Sequence, residues 1–242
     1  MELHNVWGEP TEFKGINIYP CKMQDYEKFQ DTVTCLMIPK HKIADKRVLK
    51  MSYLQFILEI SEENPNIMNY LIKLLDLVSD DLSFLISPDN IPYLYSFKYE
   101  MEINENEFED LRKLILSQNL VKFDTELIDP ELERTLREAK EFMNRKNKPP
   151  TLEEMIISYH VGSGVDYTTI KIYSIYQFHK SLEKLGLLKD WEIYTYPALK
   201  GGGADKITHW LSHVPERGEF DDVTMSMAEF NQMASNNGIS NI

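Results

Sequence analysis

The apolar positions change spacing several times along the chain, and each change predicts a different element. Short β-branched and aromatic runs at Phe13–Tyr19 and Thr32–Ile38 are typical of strands, with Gly15 and Pro20 as breaks. Between them, Met23–Gln30 has the pattern of a short helix. The N-terminal segment is therefore predicted to form a small β element that contains one helix.

Two apolar helices are predicted next. Asp45 is placed to cap a helix over Lys46–Ile60, which carries a broad apolar face. A second helix over Pro65–Val78 has Asn64 as its candidate cap and apolar residues at 3.6-residue spacing. The two helices are expected to pack as an antiparallel pair.

The middle of the chain returns to aromatic and β-branched residues. Leu82–Ile103 is predicted to form strands, because Pro88 and Pro92 break any helix there. Helical spacing then covers Glu105–Gln118, and a charged helix over Pro130–Lys146 has only a narrow apolar seam. The charged helix is expected to be mostly solvated or to lie against a partner.

Asn147-Lys148-Pro149-Pro150 cannot continue a helix, because each proline lacks an N–H and restricts the residue before it. This sequence predicts a boundary between an α+β domain, 1–147, and a mainly helical domain with a short disordered tail, 151–242. In the second domain, Thr151 is expected to cap a helix, with Glu154 in a capping box and with Leu152, Met155, Ile156 and Tyr159 buried. Two more helices are expected over Ser174–Leu185 and Met225–Ala234. The predicted fold class is α+β, mainly helical with small N-terminal and middle β elements.

Charge and composition narrow the function. The 39 acidic residues against 26 basic ones give a net charge of -13, which disfavours nucleic acid and anionic membranes as partners. No segment has the roughly 20 apolar residues of a membrane span or the pattern of a signal peptide, so the expected location is a cytoplasm. Cys21 and Cys35 form no metal motif and are interpreted as reduced core residues, with a disulfide as the alternative.

The sequence contains no complete catalytic or metal-binding motif, which favours a protein that is not an enzyme and has no cofactor. His209 and His213, four residues apart, are weak candidates for a metal site, or for a metal-dependent hydrolase with a nearby Asp205, Asp221 or Asp222. They lack the glutamate of a HExxH motif, so structural or surface histidines are the simpler interpretation. Neither Gly201-Gly202-Gly203 nor Gly162-Ser163-Gly164 has the spacing of a phosphate loop or a nucleophile elbow.

Aromatic residues are dense in the second half of the chain. Ordinary core packing is one interpretation, and anchors of a protein interface are the other. The residues predicted to bind a partner protein are Tyr173, Tyr176, Phe178, Trp191 and Trp210.

Two stretches resemble tail assembly chaperones and baseplate-hub assembly proteins of tailed bacteriophages. The first is VWGEPTEFKGINIYP at Val6–Pro20, followed by Met23–Gln30 and Met51–Phe56, and the second is SIYQFHKSL at Ser174–Leu182. Together they cover about a third of the chain. This chain departs from many small tail chaperones by an added middle section, about Leu82–Pro150.

The resemblance implies a protein that has no catalytic residues and no cofactor and acts in the host bacterial cytoplasm. Its partners would be other phage tail proteins, such as a tape-measure or hub component held during assembly, and association with copies of itself stays open. A permanent structural subunit of the tail or baseplate is the alternative. The net charge of -13 also fits a further alternative, an acidic inhibitor of a host defence protein.

Overall fold

The protein is described by a computed structural model that covers residues 3–40, 46–122, 134–136, 138–142, 149–201 and 209–213. It has two compact units, the first made of Met1–Phe123 and Met155–Leu211 and the second of Asp124–Glu154 and Ser212–Ile242. The helices are α1 His4–Trp7, α2 Tyr26–Val33, α3 Lys46–Lys50, α4 Tyr53–Glu63, α5 Asn66–Val78, α6 Phe108–Gln118, α7 Leu152–Ser163, α8 Tyr167–Ile172 and α9 Ile175–Gly201. The strands are β1 Thr11–Phe13, β2 Ile16–Ile18, β3 Leu82–Ile86, β4 Pro92–Ser96 and β5 Met101–Ile103. The protein is thus mainly helical with two small antiparallel sheets, which confirms the predicted fold class.

The first sheet is a hairpin of β1 and β2. Lys14 and Gly15 form its two-residue turn, with φ of 52° and 79°. Such left-handed pairs match the twist of a tight hairpin. Ile16 and Ile18 of β2 are buried. The predicted N-terminal β element is present.

The second predicted strand of that element, Thr32–Ile38, is wrong. Helix α2 continues to Val33, and a 3-10 helix follows over Thr34–Leu36. The Thr32 hydroxyl donates to the Lys28 carbonyl at 2.8 Å, so this β-branched side chain bonds back into the helix. Burial of Val33, Cys35 and Leu36 outweighs the strand preference of the local sequence.

The helix predicted over Lys46–Ile60 is in fact two helices, α3 and α4. They meet at Ser52, whose hydroxyl accepts a hydrogen bond from the Gln55 amide at 3.1 Å and caps α4. Asp45, the predicted cap, lies outside the described residues. The buried face of α4 consists of Tyr53, Leu54, Phe56 and Ile57.

Helix α5 and the second sheet match the predictions well. The buried face of α5 consists of Leu71, Leu74, Leu75 and Val78, and α5 packs against α4. Strand β4 pairs antiparallel with both β3 and β5. The strands predicted within Leu82–Ile103 are therefore confirmed, as is the helix within Glu105–Gln118.

The predictions for the later segments have mixed outcomes. Thr151 and Glu154 form the predicted capping box, with the Glu154 amide donating to the Thr151 hydroxyl at 3.2 Å. The helix predicted to end at Leu185 instead runs to Gly201. Gly186, the next residue after Leu185, does not end it, since a glycine inside a helix costs only about 1 kcal/mol. Most of Pro130–Lys146, and all of Met225–Ala234 and of the tail, lie outside the described residues. The two-domain division at Asn147–Pro150 stays a prediction.

Candidate functional site

The candidate protein-binding residues lie on and around α8 and α9, and hydrogen bonds hold the start of α9 against the N-terminal segment. The Ile175 amide donates to the Cys21 carbonyl at 2.9 Å, and the Met23 amide donates to the Tyr173 carbonyl at 2.8 Å. The Cys21 amide in turn donates to the Asn119 side-chain oxygen at 2.8 Å. The first turn of α9 is thereby fixed to the core of the first unit.

A reciprocal cap starts α9. The Ser174 amide donates to the Gln177 side-chain oxygen at 2.8 Å, and the Gln177 amide donates to the Ser174 hydroxyl at 3.1 Å. The Gln177 amide nitrogen also donates to the Val6 carbonyl at 3.0 Å, which holds α1 against α9. Gly8 makes this approach possible, because a Cβ there would lie 2.9 Å from the Gln177 Oε1 atom.

Two of the five predicted residues lie near the core. Phe178 is fully buried and packs edge to face on Tyr159 at 5.6 Å between ring centroids. Tyr173 lies 6.4 Å from Tyr159, and burial raises the pKa of the Tyr173 phenol. The complete burial of Phe178 makes it part of the core, and we leave it out of the proposed binding surface.

Tyr173 and the other three predicted residues are partly exposed. Trp191 contacts His209 edge to face at 5.4 Å, and His209 stacks on Trp210 at 6.0 Å. The structure thus brings two of the predicted tryptophans together through the imidazole between them. Tyr176 lies in the first turns of α9, apart from this group in sequence.

The two candidate metal histidines have different surroundings. His209 packs against the two tryptophans, and its Nδ1 atom lies 3.2 Å from the Leu211 amide, from which it accepts a hydrogen bond. His213 is exposed. Within the described ranges, no group of three His, Cys, Asp or Glu side chains is placed to hold a metal ion. The three aspartates considered as further ligands lie outside those ranges.

The cysteine thiols are not activated for chemistry. Cys21 and Cys35 are free and buried. Burial raises the pKa of each thiol from 9.0 to about 12, so both stay protonated at neutral pH. The predicted interpretation of both as core residues fits this environment.

A second set of candidate residues, which are exposed apolar side chains, was not predicted from the sequence. Helix α7 was predicted to bury Leu152, Met155, Ile156 and Tyr159, but only Tyr159 is buried. From the start of α7 to Leu211, the large apolar side chains that are exposed are Ile157, Val161, Tyr167, Ile172, Ile193, Tyr194 and Leu211, with exposed fractions from 45% to 76%. Ile157 and Val161 were the available signal, because at 3.6 residues per turn they fall on the side of α7 opposite Leu152, Met155 and Tyr159.

None of the helices in the described ranges is both long and apolar enough to cross a bilayer. No curated protein and no solved structure matches the chain. Residues 144–215 match the family model of the YomV second domain, which belongs to a phage-derived protein family. This segment contains α7, α8, α9 and all the exposed apolar side chains named above, and its similarity indicates a phage origin for the protein.

Proposed function

We propose that this chain is a non-catalytic phage morphogenesis protein that binds a tail component, a tape-measure or hub protein, during assembly in the host cytoplasm. The observation that carries the proposal is the set of exposed apolar side chains on residues 157–211, inside the segment similar to the YomV second domain. We call this set the C-terminal apolar surface, defined by Ile157, Val161, Tyr167, Ile172, Ile193, Tyr194 and Leu211.

The distribution of apolar residues on α7 supports binding rather than core packing. A helix that serves only a core normally carries one apolar stripe, with polar residues opposite. Helix α7 is apolar on more than one side, yet buries only Tyr159. Its exposed members Ile157 and Val161 would gain from burial by a partner, since apolar area removed from water stabilises a complex.

The partly exposed aromatic residues supply anchors of the kind that dominate protein interfaces. Trp191 and Trp210 flank His209, and Tyr176 and Tyr173 lie at the start of α9. Tryptophan and tyrosine carry a large share of the binding energy in interfaces, because they bury much area with few rotatable bonds. These four are the proposed anchors beside the C-terminal apolar surface.

The test is a pull-down of the tagged protein from cells in which the phage replicates, with proteomics of purified particles alongside. Capture of a tape-measure or hub protein, with no copy of this chain in finished particles, is the expected result. Abundance in particles would indicate the permanent subunit instead. Capture of no tail component would contradict the proposal.

A pair of matched variants locates the binding surface. Ile193→Asp places a charge on the C-terminal apolar surface, at a side chain that is 62% exposed, and is expected to abolish capture. Ile72→Asp does the same on α5, at a side chain that is 43% exposed and outside the matched segment, and is expected to leave capture unchanged. Equal loss in both variants would show that the surface is not the binding site.

A further inference from the structure

The two edges of the three-stranded sheet differ in how they are protected. Strand β4 lies in the centre, with β5 at one edge and β3 at the other. Strand β5 has three residues and carries Glu102, and Glu100 precedes it. Strand β3 has five residues, Leu-Ser-Phe-Leu-Ile, with neither a charge nor a proline. Short length and charge are the usual protection of a sheet edge, and β3 has neither.

Among the described residues, no strand pairs with the outer edge of β3. Its ladder partner is β4, and within the described residues no hydrogen bond is made from the other edge of the strand. Phe84 and Leu85 are partly exposed, and Ile86 is 47% exposed. The protein segment that can satisfy a row of unpaired strand N–H and C=O groups is another extended strand. The chemistry of the edge therefore defines the backbone conformation of its partner.

The charge around this edge defines the partner further. Residues 73–98 contain four acidic side chains, Asp76, Asp80, Asp81 and Asp89, and two basic ones, Lys73 and Lys98, so the acidic side chains are in excess. The whole chain carries a net charge of -13. A basic segment would be attracted to such a region, whereas a second copy of β3 would bring the same acidic flanks against it.

The two faces of the sheet differ, so alternate positions of the added strand require different side chains. Phe84 pairs with Leu94, which is fully buried, so an added residue beside Phe84 faces the core side and should be apolar. Ser83 and Leu85 pair with Tyr95 and Tyr93 on the opposite face. That face carries partly exposed rings, and Phe97 packs edge to face on Tyr95 at 5.0 Å. Lys or Arg side chains lie favourably over such rings.

We propose that the free edge of β3 binds an extended segment of a partner protein in which apolar residues alternate with Lys or Arg. The segment adds a fourth strand to the sheet. Its backbone pairs with β3, its apolar side chains extend the core side beside Phe84, and its basic side chains lie on the aromatic face near the acidic flanks. This site is separate from the C-terminal apolar surface and does not depend on the proposed role in tail assembly.

The test uses the full-length chain and a labelled peptide, Lys-Val-Lys-Val-Lys-Val-Lys, as the probe. Binding is measured by fluorescence anisotropy, and backbone hydrogen exchange by NMR maps the site. Binding that protects those amides of Ser83–Ile86 that do not donate to β4, and not those of Met101–Ile103, is the expected result. Protection confined to another element would overturn the proposal.

Two control peptides separate strand pairing from simple charge attraction. A peptide of the same sequence with every internal amide methylated keeps the charge but has lost its hydrogen-bond donors, and should bind at least about tenfold more weakly. The peptide Glu-Val-Glu-Val-Glu-Val-Glu keeps the donors but reverses the charge, and should not bind. If the methylated peptide bound as well as the parent, the edge-pairing proposal would be wrong.

A matched pair of protein variants tests the position. Ser83→Lys and Glu102→Gln each change the net charge by one positive unit, and both residues pair with Tyr95 on the same face of the sheet. Ser83→Lys, at the free edge, should weaken peptide binding about two- to fivefold. Glu102→Gln, on β5, should change it less. Equal effects would overturn the assignment to β3. The assignment would also be overturned if the protein without peptide sedimented as a dimer and Ser83→Lys dissociated that dimer.

Discussion

Helices α5 and α9 belong to the same unit but use their apolar residues differently. In the 13 residues of α5, Leu71, Leu74, Leu75 and Val78 form one buried face. The 27 residues of α9 bury only Ile175 and Phe178 among the described side chains, both in the first turn. Regular spacing on one side of a helix therefore goes with core packing here, while the irregular spacing of α9 leaves Ile193 and Tyr194 exposed for a partner.

The largest expected effect is at the anchored start of α9. Phe178→Ala removes a fully buried ring and should lower the free energy of unfolding by about 3–5 kcal/mol. Leu74→Ala in α5 is the reference, with an expected loss of about 2–5 kcal/mol. Urea unfolding followed by circular dichroism measures both. A loss below about 1 kcal/mol for Phe178→Ala would mean that α9 is not anchored to the core.

Helix α5 and the strands that follow it were predicted well from the sequence. Apolar residues at 3.6-residue spacing, with a proline at the start, identified α5, and alternating aromatic residues identified the strands within Leu82–Ile103. Long-range contacts decided the rest. Thr32–Ile38 has strand-forming residues, but it is helical because Val33, Cys35 and Leu36 are buried in the core. Local preference is weaker than such burial.

The candidate site was predictable only in part. The aromatic residues of α9 were recognised, but their spacing does not distinguish the fully buried Phe178 from the partly exposed Tyr176 and Trp191. Burial in this segment depends on hydrogen bonds to distant residues, such as that from the Ile175 amide to the Cys21 carbonyl. The edge of β3 depends on strand order, which the local pattern does not contain.

The next largest effect is expected at Gly8, where α1 is held against the start of α9. Gly8 has a φ of 68°, so Gly8→Ala should cost about 1–2 kcal/mol from backbone strain. It should cost about 0.5–1.5 kcal/mol more by displacing the Gln177 amide, which lies 2.9 Å from the added carbon. Gly15→Ala is the matched control, because its φ is 79° but nothing lies within 4 Å. Equal losses in thermal unfolding would mean that the Gln177 contact contributes nothing.

A smaller expected effect is a pH dependence of the free energy of unfolding that arises at the anchored start of α9. His179 packs against Tyr26 and Phe178, and burial lowers the pKa of its imidazole below 6.5. The neutral form is favoured in the folded chain. The stability from His179 is therefore present above pH 6.5 and is lost as the pH falls from there through the lower folded pKa.

His179→Gln should accordingly make the free energy of unfolding less dependent on pH between about 7.5 and 5.5. The carboxylates with lowered pKa, such as Asp166 and Glu154, lose their contribution only at lower pH. Urea midpoints measured across this range give the slope. His213→Gln, at an exposed histidine, is the control for the substitution itself. An unchanged slope for His179→Gln would contradict the prediction.

The smallest expected effect is the one that most directly separates α9 from α5. Ile193 is 62% exposed, so Ile193→Ala should change the free energy of unfolding by less than about 0.5 kcal/mol. Leu74 loses far more on the same kind of truncation, because its side chain is fully buried. If Ile193→Ala keeps the stability but weakens capture of a tail protein, the residue serves binding and not folding. A loss comparable to that of Leu74→Ala would instead place Ile193 in a core, and the C-terminal apolar surface would lose one of its central members.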